Sequence, residues 1–205
     1  MSAKIPVSLL FLFLAFSSTA KEPANTWEPL FNGENLTGWK PLPGGTWDVV
    51  DGAIVGKSPR SERRHGILLS ERKFKDFEVK AVFRVISGDS GFYFRCEPVK
   101  GGVSVHGFQV EVDTSQETGG LYETGGRAWV VKPSAEEIPK KAYKAGEWTN
   151  LHLTAIGKDI TVRINGVVTA ELKDDPGRVE GHIGLQLHGG QEMHVEFKDI
   201  SIQEK

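Results

Sequence analysis

Residues 107–113, GFQVEVD, are two interleaved sequences: Phe108, Val110 and Val112 alternate with Gln109, Glu111 and Asp113. Side chains of a β-strand point alternately to opposite faces, so the first set faces a core and the second leaves it. Two carboxylates and an amide in a row at mid-chain do more than solubility needs, since Thr, Ser or Lys would serve that equally well. Two further stretches share the design. Residues 91–96, GFYFRC, set Phe92, Phe94 and Cys96 against Tyr93 and Arg95, and residues 184–188, GLQLH, set Leu185 and Leu187 against Gln186 and His188. If the three strands join one sheet with their apolar faces together, Arg95, Glu111, Asp113, Gln186 and His188 look out from a single surface, the candidate site.

The flanking sequence reads as β throughout. Trp47-Asp48-Val49-Val50, Asp51-Gly52 and Ala53-Ile54-Val55 form a hairpin signal, because Asp-Gly supplies the positive φ angles of a two-residue turn. Phe77, Val79, Ala81, Phe83 and Val85 mark the core face of a long strand, and Ser87-Gly88-Asp89-Ser90-Gly91 reads as the turn after it. Residues 148–156, 160–164 and 167–172 predict a three-strand meander, joined by Gly157-Lys158-Asp159 and Asn165-Gly166. The one helix candidate, residues 134–143, is broken by Pro139. Roughly a dozen short strands without a lasting helix argue for an all-β sandwich of antiparallel sheets. Residues 57–66, KSPRSERRHG, read as a loop with His65 at the surface, and His182 and His194 as solvated. The glycine-rich stretch 118–129 reads as a rim loop carrying Tyr122, Arg127 and Trp129. Trp27, Trp39, Trp47 and Trp148 each border an apolar strand and are expected to pack.

Composition narrows the class. Lys4, an apolar run over residues 7–16 and Ser17-Ser18-Thr19-Ala20 have the layout of a signal peptide cut after Ala20, and the run is shorter than the roughly 20 residues that span a bilayer. Residues 1–20 are therefore expected to direct export, to a periplasm or outside the cell, and residues 21–205 to form one domain. The single cysteine, Cys96, permits no internal disulfide. A formal net charge of −2 with mixed signs offers no basic stripe, so nucleic acid and anionic membranes are poor partners.

Taken in order, several pieces resemble the 3-keto-disaccharide hydrolase domain family. They are Leu30-Phe31-Asn32-Gly33, Leu36-Thr37-Gly38-Trp39, Trp47, Asp51-Gly52, Ser90-Gly91-Phe92-Tyr93-Phe94-Arg95 and Gly107-Phe108-Gln109-Val110-Glu111-Val112-Asp113. Thr118-Gly119-Gly120-Leu121-Tyr122, Gly146-Glu147-Trp148, Asn165-Gly166, Gly184-Leu185-Gln186-Leu187-His188-Gly189 and Phe197-Lys198-Asp199-Ile200 follow. The order Gln109 before Glu111, and Leu187 before His188, departs from the pattern common in that family. The resemblance implies a jelly roll of the concanavalin and laminin-G type, with a concave face for an oligosaccharide or glycoside, and an enzyme cleaving 3-keto-glycosides. A non-catalytic glycan-binding module and an ordinary retaining glycosidase are the competing readings.

A ketone at C3 acidifies the proton on C2, and its removal gives an enolate that can expel the glycosidic oxygen from C1. That chemistry needs a base, an anion stabiliser and an acid at the leaving group. Glu111 and His188 are the expected proton-transfer pair, Arg95 the stabiliser and Asp113 an orienting charge. Gln109 and Gln186 are expected to hold hydroxyls, Tyr93, Tyr122 and Trp129 to stack, and Arg127 to contact substrate from the rim. No cofactor is expected. Glu111, Asp113 and His188 are ligand types for a divalent ion, but no close-spaced ligand motif accompanies them. No GxGxxG follows a strand, so a separate oxidoreductase is expected to make the ketone.

Overall fold

The computed structural model describes residues 26–100 and 104–205; the expected signal peptide, residues 1–20, lies outside the described residues. The first strands are β1 (Glu28–Pro29), β2 (Trp39–Pro41), β3 (Thr46–Val50), β4 (Ala53–Ser58) and β5 (Gly66–Phe74). The central ones are β6 (Phe77–Ser87), β7 (Asp89–Pro98), β8 (Val105–Asp113), β9 (Leu121–Thr124) and β10 (Ala128–Val131). After the single-turn α1 (Glu137–Lys140), which holds Pro139, come β11 (Thr149–Ile156), β12 (Asp159–Ile164), β13 (Val167–Leu172), β14 (Gly181–Leu187) and β15 (Met193–Glu204).

Two antiparallel sheets form from them. One has the order β13-β12-β11-β6-β15-β4-β3, with β1 added against β15; the other runs β10-β9-β8-β7-β14-β5-β2. Neighbours in the second sheet, such as β7 and β14, are far apart in sequence, as the jelly-roll reading requires. The expected hairpins form, with Asp51-Gly52 and Asn165-Gly166 both at positive φ. The stretch expected as a glycine-rich loop is instead the β9–β10 hairpin, which extends the second sheet and pairs Tyr122 with Trp129.

The core lies between the sheets. Phe77, Val79, Ala81, Phe83 and Val85 of β6 meet Phe92 and Phe94 of β7, Val110 of β8 and Leu185 of β14, all buried. The Phe92 ring, from the second sheet, lies 6.5 Å from that of Phe197 in the first. Packing of this kind fixes the register of β7, β8 and β14, because a one-residue slip would put every outer polar side chain into the core.

One expected face assignment fails here. β7 and β8 pair in register up to Phe94 with Phe108 and resume at Glu97 with His106, so Arg95 and Cys96 stand opposite Gly107 alone. This is a β-bulge, with Arg95 at φ 48°. Gly107 has no Cβ, and one placed there would lie 2.6 Å from the Cys96 Cα, so the bulge needs glycine opposite it. Beyond the bulge the alternation reverses. Cys96 joins Ile67, Leu69, Tyr93 and Val105 on the outer face, not Phe92 and Phe94. Arg95 leaves the candidate site altogether, and its buried guanidinium donates to the carbonyls of Lys75 at 2.6 Å and Gly157 at 2.8 Å. A longer contact reaches Asp76. The side chain ties the β5–β6 and β11–β12 turns together.

The tryptophans divide. Trp39 is buried as expected, whereas Trp148 is 37% exposed on the outer face of the first sheet, beneath Arg84 and Lys198. Trp27 is half-buried under Lys80. Among the described residues no helix is long and apolar enough to cross a membrane.

If Arg95 is a structural tie, Arg95→Met leaves two turn carbonyls without donors and lowers stability by about 2–4 kcal/mol, read as a lower urea midpoint. Ligand affinity in the cleft should stay at the wild-type value. A variant as stable as wild type but defective in binding would contradict this placement.

Candidate functional site

The outer face of the second sheet is hollowed, and residue size explains why. Across it, one row runs Trp129, Tyr122, Gln109, Tyr93, Gly184, Leu69, each paired with the next in register. Gly91 opposes Glu111, and Asp89 opposes Asp113, in the neighbouring rows. Large side chains thus stand along this face, while Gly91 leaves room for the Gln109 side chain and Gly184 for those of Leu69 and Tyr93. The resulting cleft has a volume of about 370 Å³. Four of the five residues first grouped on this face, Glu111, Asp113, Gln186 and His188, line it together with Gln109, Tyr93, Tyr122 and Trp129.

Glu111 is the chemical centre. It is buried, and the Gln109 amide donates to its two carboxylate oxygens at 2.9 and 2.7 Å. Gln109 can lie there only because Gly91 has no side chain: a Cβ on Gly91 would fall 2.5 Å from the Gln109 side chain. Loss of water raises the Glu111 pKa from its ordinary value to about 8; the Asp89 charge adds to this and the Gln109 hydrogen bond opposes it. At neutral pH the carboxyl is therefore mostly protonated.

His188 has a defined tautomer. Its Nδ1 lies 2.9 Å from the Gly189 carbonyl, which can only accept, so Nδ1 carries the proton and the neutral ring keeps a lone pair on Nε2. The ring of His65 stands edge-on at 4.4 Å between centroids, and its Nδ1 accepts from the Gly189 N–H at 3.3 Å. Burial, then the neighbouring His188, depresses the His65 pKa and keeps that ring neutral. One residue, Gly189, thus sets both imidazoles through its N–H and its carbonyl.

Gln186 donates through Nε2 to the Tyr93 hydroxyl at 3.3 Å, and Tyr93 in turn lies 2.9 Å from Thr124 Oγ1. The Oε1 of Gln186 is buried with no partner among the described residues. Asp113 is differently occupied: its carboxylate accepts from the Ser115 N–H at 3.0 Å and the Thr118 hydroxyl at 2.7 Å, closing the loop after β8. The buried Lys141 braces that loop through the carbonyls of Gln116 and Thr118.

Two of the expected site residues stand elsewhere. Arg95 is the tie described above, on the far side of the bulge. Arg127 makes a bidentate pair with Asp175, both contacts at 2.8 Å, and a further one with Glu123, so the hairpin tip is pinned rather than presented to the cleft. Conversely, Asp89 and His65 line the cleft although the sequence reading placed one in a turn and the other at the surface. His182 and His194 are half-buried and bonded, to the Ser70 carbonyl and to Glu196, rather than solvated. Among the described residues no three His, Cys, Asp or Glu side chains are grouped to hold a metal ion.

Comparison with known proteins sets this cleft in a family. The chain resembles a candidate glycosyl hydrolase from Parabacteroides distasonis ATCC 8503 at 18% identity, covering 87% of this chain and 94% of that one, with a TM-score of 0.66. It resembles the carbohydrate-binding module CBM66 of Bacillus subtilis at 16% identity, covering 82% and 96%, with a TM-score of 0.63. A Bacillus subtilis protein with a galectin-like fold aligns at 14% identity over 87% and 94%, with a TM-score of 0.68. These likenesses establish the jelly-roll fold. No curated protein sequence matches the chain. The profile of the 3-keto-alpha-glucoside-1,2-lyase-like domain matches residues 26–203, and the chain belongs to that family.

Proposed function

We propose that the protein is an exported enzyme that cleaves 3-keto-glycosides by removing the C2 proton and expelling the group on C1. The observation that carries this reading is an acid and an imidazole lining one cleft: Glu111, pushed up to about 8, and His188, whose Nδ1 is bonded to the Gly189 carbonyl so that Nε2 is the nitrogen left to accept.

In this mechanism the His188 Nε2 takes the proton from C2 and the C3 carbonyl oxygen becomes an enolate oxygen. As the enolate collapses, the C1–C2 double bond forms and the C1–O bond breaks. Glu111 delivers its proton to the departing oxygen, which leaves as an alcohol. The sugar is left as an enone, and addition of water across it would complete a net hydrolysis. Proton exchange with solvent returns His188 and Glu111 to their starting states. With Arg95 elsewhere, no guanidinium meets the enolate; neutral donors, the second Nε2–H of Gln186 among them, take that part. Gln186 Oε1 accepts from a sugar hydroxyl, and the Tyr122–Trp129 pair, 5.6 Å between ring centroids, offers apolar surface to a second ring. The starting ketone would come from a separate oxidoreductase.

Purified protein mixed with an aryl 3-keto-glucoside should release the aglycone, while the parent glucoside stays intact. Glu111→Gln should lower kcat by roughly 10²–10⁴-fold, the usual share of a general acid. Sugar binding that persists with no turnover by the wild-type protein would instead make it a binding module, and cleavage of the parent glucoside would make it an ordinary glycosidase.

The pH profile follows from the same assignment. An acid must hold its proton to act, so kcat/KM should fall about tenfold per pH unit above about 8. Asp89→Asn removes a negative neighbour that raises the Glu111 pKa, so the falling limb should move to lower pH. A limb that stays in place in the variant, or rises above pH 8, would assign the acid role elsewhere.

A further inference from the structure

The cleft is one-sided in charge. Asp89, Glu111, Asp113 and Glu117 line it, and among the described residues no Lys or Arg does. With Glu111 mostly protonated, Asp89, Asp113 and Glu117 carry the charge, and His65, kept neutral by burial, does not offset it. Glu117 is partly offset at the rim by Lys132, 2.5 Å away, whose ammonium sits 4.2 Å over the Trp129 ring. Deeper in, no Lys or Arg among the described residues lines the cleft beside Asp89 and Glu111, and burial raises both pKa values, with the Asp113 charge adding to each.

An independent feature points to a ligand of the same kind. Gln186 is 5% exposed, lines the cleft and leaves its Oε1 acceptor without a partner. His188 lines the same cleft, and with Nδ1 bonded to the Gly189 carbonyl its Nε2 is the nitrogen left as a further acceptor. An occupant must therefore bring hydrogen-bond donors, and it must not bring negative charge, because an anion would face Asp89, Asp113 and Glu117 with no Lys or Arg among the cleft's described residues to pair with it.

We propose that the cleft selects 3-keto-glycosides whose leaving group is uncharged or carries a protonated amine, and rejects those bearing a carboxylate, phosphate or sulfate. This rests on the reading of the cleft as a glycoside site and narrows its substrate class. Discrimination arises from repulsion as much as from attraction, which is the more effective way to exclude a near-identical competitor.

Three aryl 3-keto-glucosides separate the possibilities: phenyl, 4-carboxyphenyl and 4-(aminomethyl)phenyl, which share the reacting ring and differ in aglycone charge. Binding is measured calorimetrically at low salt to His188→Gln, which retains every carboxylate, and in parallel by competition against turnover in the wild-type protein, which needs no variant to fold. The phenyl and aminomethyl compounds should bind, with the carboxyphenyl compound weaker by about 100-fold. Added salt should narrow the gap, as should Asp89→Asn. Equal affinity for the phenyl and carboxyphenyl compounds would overturn the charge selection while leaving the glycoside site standing. Failure of all three to bind would remove the glycoside reading, and the selectivity with it.

Discussion

Burial of the Glu111 carboxyl is the constraint on which the site depends. An acid with ordinary access to water would be ionised at neutral pH and could not give a proton to a departing oxygen. Here the protein withholds that water: Tyr93, Tyr122 and Trp129 wall the cleft, Gln109 lies over Gly91 and against the carboxyl, and Asp89 adds repulsion. Neighbouring strands β7 and β8 hold Asp89 where its charge is felt at Glu111. Their rigidity comes from the opposite side of the same sheet, where Phe92, Val110 and Leu185 are packed into the core and cannot shift without opening a cavity. Core and site are thus two faces of one strand set, and the two-residue alternation of β8 serves both.

Much of this was legible from residues alone. The alternation in residues 107–113 and 184–188 gave the correct faces for Phe108 through Asp113 and for Leu185 through His188, because neither stretch contains a break in strand period. The Asp-Gly and Asn-Gly turns were legible for the same local reason. Arg95 was misplaced because a bulge is set by two strands at once. Its signal, Gly107 opposite an Arg-Cys pair, becomes meaningful only when the register is known. Asp89 was hidden by its neighbours: Ser-Gly-Asp-Ser-Gly has turn composition, but β6 ends at Ser87 and β7 begins at Asp89, with Gly88 alone between them. His65 lies in a polar loop whose return to the cleft, beneath the Gly189 peptide, leaves no local trace.

The family and the fold leave different things to chemistry. Jelly rolls hold sugars in modules that do nothing to them and in enzymes that do, so the scaffold alone does not decide between these. What favours catalysis in this chain is the pairing of two groups in one cleft: an imidazole whose Nδ1 is bonded to a backbone carbonyl, and a carboxyl that keeps its proton through exclusion of water. A surface that merely gripped a polyol would gain nothing from keeping two acids short of solvent.

Running the reaction in D2O and examining C2 of the released sugar by NMR at early times tests the central claim most directly. Proton abstraction predicts a product with no protium at C2, either as the C1–C2 enone or, after addition of solvent, with deuterium there. A product that keeps its original C2 proton would mean that the C1–O bond broke by another route, and the account given for His188 and Glu111 would be wrong.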